Sequence, residues 1–168
     1  MDWRAKYRPY IVAGTLAFVM TMFVAPEVME GNSMSPTLDN GDKLVITKES
    51  YSANRGEPEL GQVVILEKVY SRAVSEDNVI GRVAALPGDT LKVKKGKIYR
   101  KGEVIADAPK GMKDQKIKID EDHIYLLNDN DDPTLDSRNP DLGPVIMKEI
   151  KGDVKLKIWP LSEFGRVK

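Results

Sequence analysis

The sequence has no cysteine and only one histidine, His123. Without cysteine the chain can form no disulfide bond, no thiolate nucleophile and no cysteine-ligated metal site. A single histidine also excludes a histidine-rich zinc site. His123 lies in Asp122-His123-Ile124-Tyr125-Leu126, a run typical of a strand entering a core, so we interpret it as structural. The sequence predicts no metal and no other cofactor.

The chain also lacks an excess of charge of either sign. Its 168 residues include 26 Lys and Arg and 26 Asp and Glu, so no overall field attracts nucleic acid, and we predict no nucleic-acid partner. Roughly 140 residues follow the apolar N-terminal segment, which is enough for one domain with one modest core.

That N-terminal segment has no ionisable side chain between Pro9 and Pro26. As a helix of about 18 residues it would reach roughly 27 Å, close to the hydrocarbon thickness of a bilayer. A cleaved signal peptide is the alternative, but its apolar core is usually shorter, about 7 to 15 residues, and Val24-Ala25-Pro26 offers no convincing cleavage site. We therefore predict an uncleaved transmembrane anchor over residues 9–26.

The charges on either side of this segment predict its orientation. Arg4, Lys6 and Arg8 precede it, whereas Glu27 and Glu30 follow it. The positive-inside rule then places residues 1–8 in the cytoplasm and residues 27–168 outside the cell membrane as an extracytoplasmic domain.

Beyond the anchor the apolar runs are short, β-branched and separated by Gly, Asn, Asp and Pro, which predicts a mainly β domain. Residues 49–61 and the Lys-rich stretch 107–120 are predicted to be surface loops. The predicted strands are residues 43–47, 62–69, 78–85, 90–94, 97–100, 123–127 and 153–159.

A Ser33-Met34-Ser35-Pro36-Thr37 turn follows the anchor directly. A serine hydroxyl becomes a nucleophile only when a base within hydrogen-bond reach takes its proton. Ser and Pro are also ordinary turn residues, so this turn taken alone favours a structural role.

Further motifs follow the serine turn in a fixed order. Together they resemble the type I signal peptidases, in the short bacterial form with one N-terminal span, over nearly the whole chain. The motifs are Gly31-Asn32-Ser33-Met34-Ser35-Pro36-Thr37-Leu38, Gly41-Asp42-Lys43-Leu44-Val45, Arg82-Val83-Ala84-Ala85-Leu86-Pro87-Gly88-Asp89, Asp129-Asn130, Asp136-Ser137-Arg138 and Gly143-Pro144-Val145.

The resemblance implies a signal-peptidase-like β ectodomain on the outer membrane surface, which binds an extended signal-peptide segment by strand addition. Ser33 matches the nucleophile, and its own N–H would contribute to the oxyanion hole. Met34 and Pro36 match substrate-binding positions. The positions that support the site are Arg82, Asp129, Thr134, Asp136 and Arg138, with an ion pair expected between Asp136 and Arg138.

Three positions depart from the family pattern. The general-base lysine that precedes the arginine is replaced by Gly81, which cannot accept a proton. Thr134 replaces the serine that orients this lysine, and Asp131 stands where the family has a cation. Loss of the base predicts a rate lower by several orders of magnitude, since such groups act as a unit.

Other lysines could in principle supply a base. Lys43, Lys48 and Lys68 lie in or near predicted strands, but a lysine base must be desolvated and directed at Ser33. Nothing in the sequence selects one of them, so we interpret all three as solvated surface residues.

Two hypotheses follow. In the first, the chain is a catalytically impaired or inactive family member, a pseudoenzyme, that binds extended segments of exported preproteins and assists assembly of surface proteins or pili, with pilin subunits as partners. In the second, it is an active serine endopeptidase that removes signal peptides with an unidentified base. Membrane lipid is a further expected partner, through the anchor and through an apolar rim of Trp159, Pro160 and Phe164, for which core packing is the alternative.

Overall fold

The computed structural model describes residues 3–48, 51–52, 56–70 and 75–167. One α-helix is followed by twelve β-strands and three short 3-10 helices within these residues. The helix α1 spans Trp3–Phe23, and the 3-10 helices are Pro133–Leu135, Met147–Glu149 and Leu161–Glu163. The strands are β1 Val24–Val28, β2 Lys43–Thr47, β3 Val63–Tyr70, β4 Ser75–Ala85, β5 Thr90–Lys94, β6 Lys97–Arg100, β7 Glu103–Asp107, β8 Gln115–Lys118, β9 His123–Leu127, β10 Val145–Ile146, β11 Ile150–Trp159 and β12 Gly165–Arg166.

The strands form two antiparallel sheets. The large sheet has the order β1-β2-β11-β3-β4-β9-β10, with β12 beside β11, and the small sheet has the order β7-β6-β5-β8. The predicted mainly β architecture is therefore confirmed.

The core follows the two-residue period of the strands. On β3, Val64 and Leu66 pack into one apolar cluster, whereas Val63 and Ile65 pack into a second cluster on the other face. A third cluster joins the end of β4 and β9 to the small sheet, and its members include Ala85, Leu91, Ile98, Tyr125 and Leu127.

Several predicted elements match the structure and others do not. Strands β2, β5, β6 and β9 have the predicted bounds, and β3, β4 and β11 differ by one to three residues. The predicted loop 107–120 is wrong in part, because β8 lies inside it and pairs with β5. Of the predicted loop 49–61, residues 49–50 and 53–55 lie outside the described residues, and Ser52 and Gly56 form an isolated bridge.

The C-terminal boundary of the predicted anchor also differs. The helix ends at Phe23, and Val24, Ala25 and Pro26 belong to β1, where Val24 pairs with Thr47 of β2. Hydropathy alone does not distinguish an apolar helix from the apolar strand that continues it. In the part of the chain that the structure describes, no helix combines the length and the apolar content of a membrane span.

Candidate active site

Ser33 lies in the loop that joins β1 to β2. Two backbone hydrogen bonds close the base of this loop, from Met29 N to Asp42 O (2.8 Å) and from Gly41 N to Met29 O (2.9 Å). Met29, Met34 and Leu38 are buried in the second apolar cluster. The loop is therefore anchored by its apolar side chains, which leaves Ser33 half-exposed at its surface.

A second loop, between β9 and β10, lies against Ser33. The N–H of Asn130 donates to the carbonyl oxygen of Ser33 at 3.2 Å. The two loops enclose a cavity of about 300 Å³, and its charged lining residues, among those the structure describes, are the carboxylates Glu30 and Asp132. The other lining residues are Gly31, Asn32, Ser33, Asn128, Asn130, Thr134 and Leu135.

Asp129 holds the two loops to the sheet. Arg82 of β4 binds it with two hydrogen bonds, from Nε to Oδ1 at 2.8 Å and from Nη2 to Oδ2 at 2.6 Å, and Thr37 donates to Oδ2 at 2.6 Å. Burial opposes ionisation of Asp129, but the hydrogen bonds from Arg82 and Thr37 and the charge of Arg82 outweigh it and lower the pKa of this carboxyl. The carboxylate therefore stays ionised as a fixed anchor between Thr37 and β4.

Asp136 and Arg138 form the expected ion pair, and both side chains are buried. Arg138 donates from Nε to Asp136 Oδ2 at 2.8 Å and from its backbone N–H to Oδ1 at 2.8 Å. The N–H of Asn128 also donates to Asp136 Oδ2 at 3.0 Å, so the pair fixes the start of the loop that lines the cavity.

Thr134 lies in the same cavity lining as Ser33, but its hydroxyl already has a partner. It donates to Asp132 Oδ1 at 2.5 Å, and its N–H donates to the same oxygen at 2.9 Å. These two bonds lower the pKa of Asp132. A carboxylate with a lowered pKa is a weak base, so Asp132 is a poor candidate for a general base beside Ser33.

Gly81 is buried on β4, where it pairs with Val64 of β3. A Cβ added to Gly81 would lie 3.2 Å from Leu126 Cβ and 3.7 Å from the carbonyl oxygen of Leu127. A Cβ therefore fits at this position if Leu126 moves by a few tenths of an ångström.

The alternative lysines bind other groups. Lys48 donates from Nζ to the carbonyl oxygen of Thr21 in α1 at 3.0 Å, and Lys43 Nζ lies 5.7 Å from the ring centre of Trp159. The side chain of Lys68 lies outside the described part of the chain. Neither described amine is placed in the lining of the Ser33 cavity.

The two predicted substrate-binding residues differ in exposure. Met34 is fully buried, whereas Pro36 is exposed, and neither residue lines the Ser33 cavity. Two further residues were not identified from the sequence: Thr37, which binds Asp129, and Asp132, which binds Thr134. Thr37 stands inside the serine turn, but its partner is 92 residues away, and no local pattern reveals such a contact.

Comparisons with known proteins identify the family of the chain. The family model for signal peptidase, peptidase S26, matches residues 4–159. Probable signal peptidase I-2 of Synechocystis sp. is 28% identical over 170 residues, covering 97% of this chain and 76% of that protein. Signal peptidase I of Bacillus amyloliquefaciens is 26% identical over 184 residues, covering 100% of this chain and 92% of that protein.

Among solved structures, a signal peptidase I from Enterococcus faecalis is 17% identical, with a TM-score of 0.44, and covers 60% of this chain and 98% of that chain. The family model matches far more than half of the chain. The chain therefore belongs to the type I signal peptidase family, peptidase S26.

Proposed function

We propose that this chain is a membrane-anchored member of the family that binds extended segments of exported proteins and has lost most or all of its peptidase activity. The observation that supports this function best is Gly81 at the position of the general base. The Ser33 cavity has no lysine, arginine or histidine among its described lining residues. General-base catalysis contributes roughly a hundred- to ten-thousandfold to such reactions, and glycine supplies none of it.

The intact support of the site favours retained binding. Arg82, Asp129 and Thr37 still join β4 to the serine turn, and Asp136 still binds Arg138. These contacts would maintain a cleft for a chain that is held but not cut. Signal peptides and exported preproteins are the proposed partners, with pilin subunits as one class, and assistance in surface-protein or pilus assembly is the proposed role.

The proposed location is the cell membrane, with residues 1–8 in the cytoplasm, an anchor within 9–26, lipid around it, and the β domain outside. The second candidate function is an active signal peptidase with an unidentified base. It is favoured by Ser33 itself, which lines a cavity together with Thr134.

The test is to incubate the purified protein in detergent with an exported precursor and to follow cleavage by mass spectrometry. Four variants accompany it: Ser33→Ala, Gly81→Lys, the double variant, and Gly81→Met, which matches the lysine in length but lacks the amine. We expect no cleavage by the natural sequence or by Gly81→Met, and cleavage by Gly81→Lys that disappears in the double variant.

Cleavage by the natural sequence that is lost in Ser33→Ala would instead establish the active peptidase. Binding is measured separately with a labelled signal peptide. If its affinity does not depend on residues 33–38, the proposed binding cleft is wrong for both candidate functions.

A further inference from the structure

β8, Gln115–Lys118, is an end strand of the small sheet. It pairs with β5 on one side, and its other edge has no strand beside it in the part of the chain that the structure describes. An open edge presents backbone N–H and C=O groups to which a further extended segment can bind. The side chains of β8 determine what kind of segment fits there.

The backbone of Lys116 and Lys118 faces this open edge. The N–H of Ile119 donates to the carbonyl oxygen of Asp89, which directly precedes β5. In antiparallel pairing, residues whose N–H and C=O groups point to one neighbouring strand alternate with residues whose groups point away from it. Ile119 and Ile117 therefore face β5, and the backbone groups of Lys116 and Lys118 face the open edge.

β8 has a basic face and an apolar face. Lys116 is directly opposite Lys92 of β5, and both side chains are exposed, as is Lys118. On the other face, Ile117 is half-buried opposite the fully buried Leu91. A strand added beside β8 would therefore place alternate side chains against the two lysines and the side chain between them against Ile117.

The lysines on the exposed face of the small sheet lack the anions that would balance them. Like charges directly opposite each other destabilise a sheet, as in the pair Lys92 and Lys116. In the described part of the chain, Lys97 alone among the lysines of this face has an ion-pair partner, Asp107. One carboxylate beside Lys116 and another beside Lys118 would relieve the repulsion.

Acidic residues confine the basic stretch to the strand itself. Asp114 directly precedes β8, and Asp120 follows it after Ile119; both aspartates are exposed. A longer run of acidic residues in the added strand would meet these carboxylates and be repelled. The favoured ligand therefore has two acidic residues with one apolar residue between them.

Charge argues against a second copy of this chain as the occupant. Two copies joined through β8 would oppose lysine with lysine. The other end strand, β7, carries Glu103 and Asp107, but these lie four positions apart across a bulge, and Asp107 already binds Lys97. Neither edge of the small sheet therefore offers two acidic side chains at alternate positions.

We propose that the open edge of β8 binds, by strand addition, an extended polypeptide segment with an acidic, an apolar and an acidic residue in succession. The backbone of the segment pairs with Lys116 and Lys118, its carboxylates lie beside their ammonium groups, and its apolar residue covers Ile117. No residue of β8 lines the Ser33 cavity, and this inference does not rest on peptide binding there.

The test is amide hydrogen exchange, measured by mass spectrometry on the full chain in detergent while a peptide is titrated into the millimolar range. The peptide has Glu-Val-Glu at its centre, flanked by neutral residues. Strand addition should slow exchange in the segment that contains Lys116 and Lys118, because their N–H groups gain acceptors. A peptide with Glu-Glu-Val has the same charge but sets only one carboxylate beside a lysine, so it should need about threefold more peptide for half-saturation. A peptide with Lys-Val-Lys should give no protection.

Three double variants accompany the natural sequence. Lys116→Gln/Lys118→Gln should raise the half-saturating concentration of the Glu-Val-Glu peptide about tenfold. Lys110→Gln/Lys113→Gln removes the same charge from the exposed loop before β8 and should leave that concentration unchanged. Lys116→Glu/Lys118→Glu should reverse the preference, so that Lys-Val-Lys protects the segment and Glu-Val-Glu does not.

Each alternative has its own result. No protection by any peptide, or equal protection by Glu-Val-Glu and Glu-Glu-Val, would overturn strand addition, and the second result would indicate attraction by charge alone. Protection that rises with protein concentration in the absence of peptide would assign the edge to a second copy. Protection that requires vesicles containing phosphatidylglycerol would assign it to lipid. Because the readout lies in β8, none of these results depends on whether a signal peptide binds at Ser33.

Discussion

Gly81 and Gly152 are both buried glycines of the large sheet, but the space around them differs. A Cβ at Gly81 would meet the side chain of Leu126 at 3.2 Å, whereas a Cβ at Gly152 would lie 2.2 Å from the carbonyl oxygen of Thr47. The first contact is relieved if Leu126 Cβ shifts by a few tenths of an ångström, but the second is with the backbone of β2, which its pairing with β11 fixes.

We therefore expect Gly81→Ala to change the free energy of unfolding by less than about 1 kcal/mol, because the loss of chain entropy in the unfolded state offsets the tight contact. Gly152→Ala should lower the free energy of unfolding by more than about 2 kcal/mol, because the added Cβ pushes β2 away from β11. Urea unfolding of both variants tests this. A strongly destabilised Gly81→Ala would contradict this expectation. A failure of Gly81→Lys to cleave could then result from loss of the fold rather than from the chemistry of the site.

At the residue scale, the sequence predicted contacts between residues of one family motif, but not contacts between residues that lie far apart in the chain. The ion pair of Asp136 and Arg138 was expected from two residues in one short motif, and it is present. Met34 is buried in the second apolar cluster, where the serine loop packs on β2 and β3. Its apolar character fits a core and a substrate cleft alike, so its substrate-binding role stays a prediction.

At the scale of elements, a buried ion pair joins β11 to the end of the serine loop. Lys157 Nζ lies 2.7 Å from Asp42 Oδ2 and 2.8 Å from Glu163 Oε2. The Lys157 and Asp42 side chains are only 7% and 6% exposed, whereas Glu163 is 55% exposed. Burial disfavours the charged lysine, but the bonds and charges of Asp42 and Glu163 outweigh it and raise the pKa of Lys157.

Lys157→Met should therefore reduce the free energy of unfolding by roughly 3 kcal/mol, because Asp42 is left buried without its cation. Adding Asp42→Leu should restore most of that loss, whereas Glu163→Gln alone should cost less than about 1 kcal/mol. Denaturant unfolding of the natural sequence, Lys157→Met, Asp42→Leu and the double variant Lys157→Met/Asp42→Leu measures the coupling between Lys157 and Asp42. Additive effects of the first two substitutions would show that the pair is not coupled.

The pH dependence of this pair has a defined sign. A pKa that is raised by folding gives stability that is fully present below the ordinary lysine value, about 10.4, and is lost as pH rises through the folded value. The difference between the natural sequence and Lys157→Met should therefore shrink only in strongly alkaline solution.

The alternation of β5 explains why its bounds were predicted correctly. In β5 the pattern Thr90-Leu91-Lys92-Val93-Lys94 alternates exposed and buried residues, and the strand has the predicted bounds. β8, Gln115–Lys118, has a single apolar residue, Ile117, so it lacks that alternation and forms through its pairing with β5. β1 was missed because its apolar start continues the apolar run of α1.

At the scale of the whole molecule, the folded domain leaves the apolar side chains of α1 uncovered over residues 6–23. The chain passes from Phe23 into β1 with no intervening linker, and Lys48 reaches back to the last turn of the helix. The large exposed apolar residues of α1 are Tyr7, Tyr10, Ile11, Val12, Leu16, Phe18, Val19, Met20, Met22 and Phe23. Transfer of this surface from water into lipid would be favourable, since about 25 cal/mol is gained for each Å² of apolar surface removed from water.

We expect the full chain to stay with the membrane fraction during alkaline carbonate extraction, and the double variant Leu16→Arg/Val19→Arg to be released. Arginine near the centre of an inserted helix costs about 2.5 to 3.5 kcal/mol, so two such residues should abolish insertion. Leu60→Arg, which replaces an exposed leucine of the β domain, is the matched control and should remain in the membrane fraction.

Cells that express these proteins also allow the orientation in the membrane to be tested. A protease added outside intact spheroplasts should degrade the β domain of the natural sequence, since Arg4, Lys6 and Arg8 favour a cytoplasmic N-terminus. Release of the natural sequence by carbonate would contradict the anchor, whereas a carbonate-resistant chain that is protected from the protease would contradict only the orientation. In that second case the β domain would face the cytoplasm, and Ser33 could not meet a chain that has already crossed the membrane.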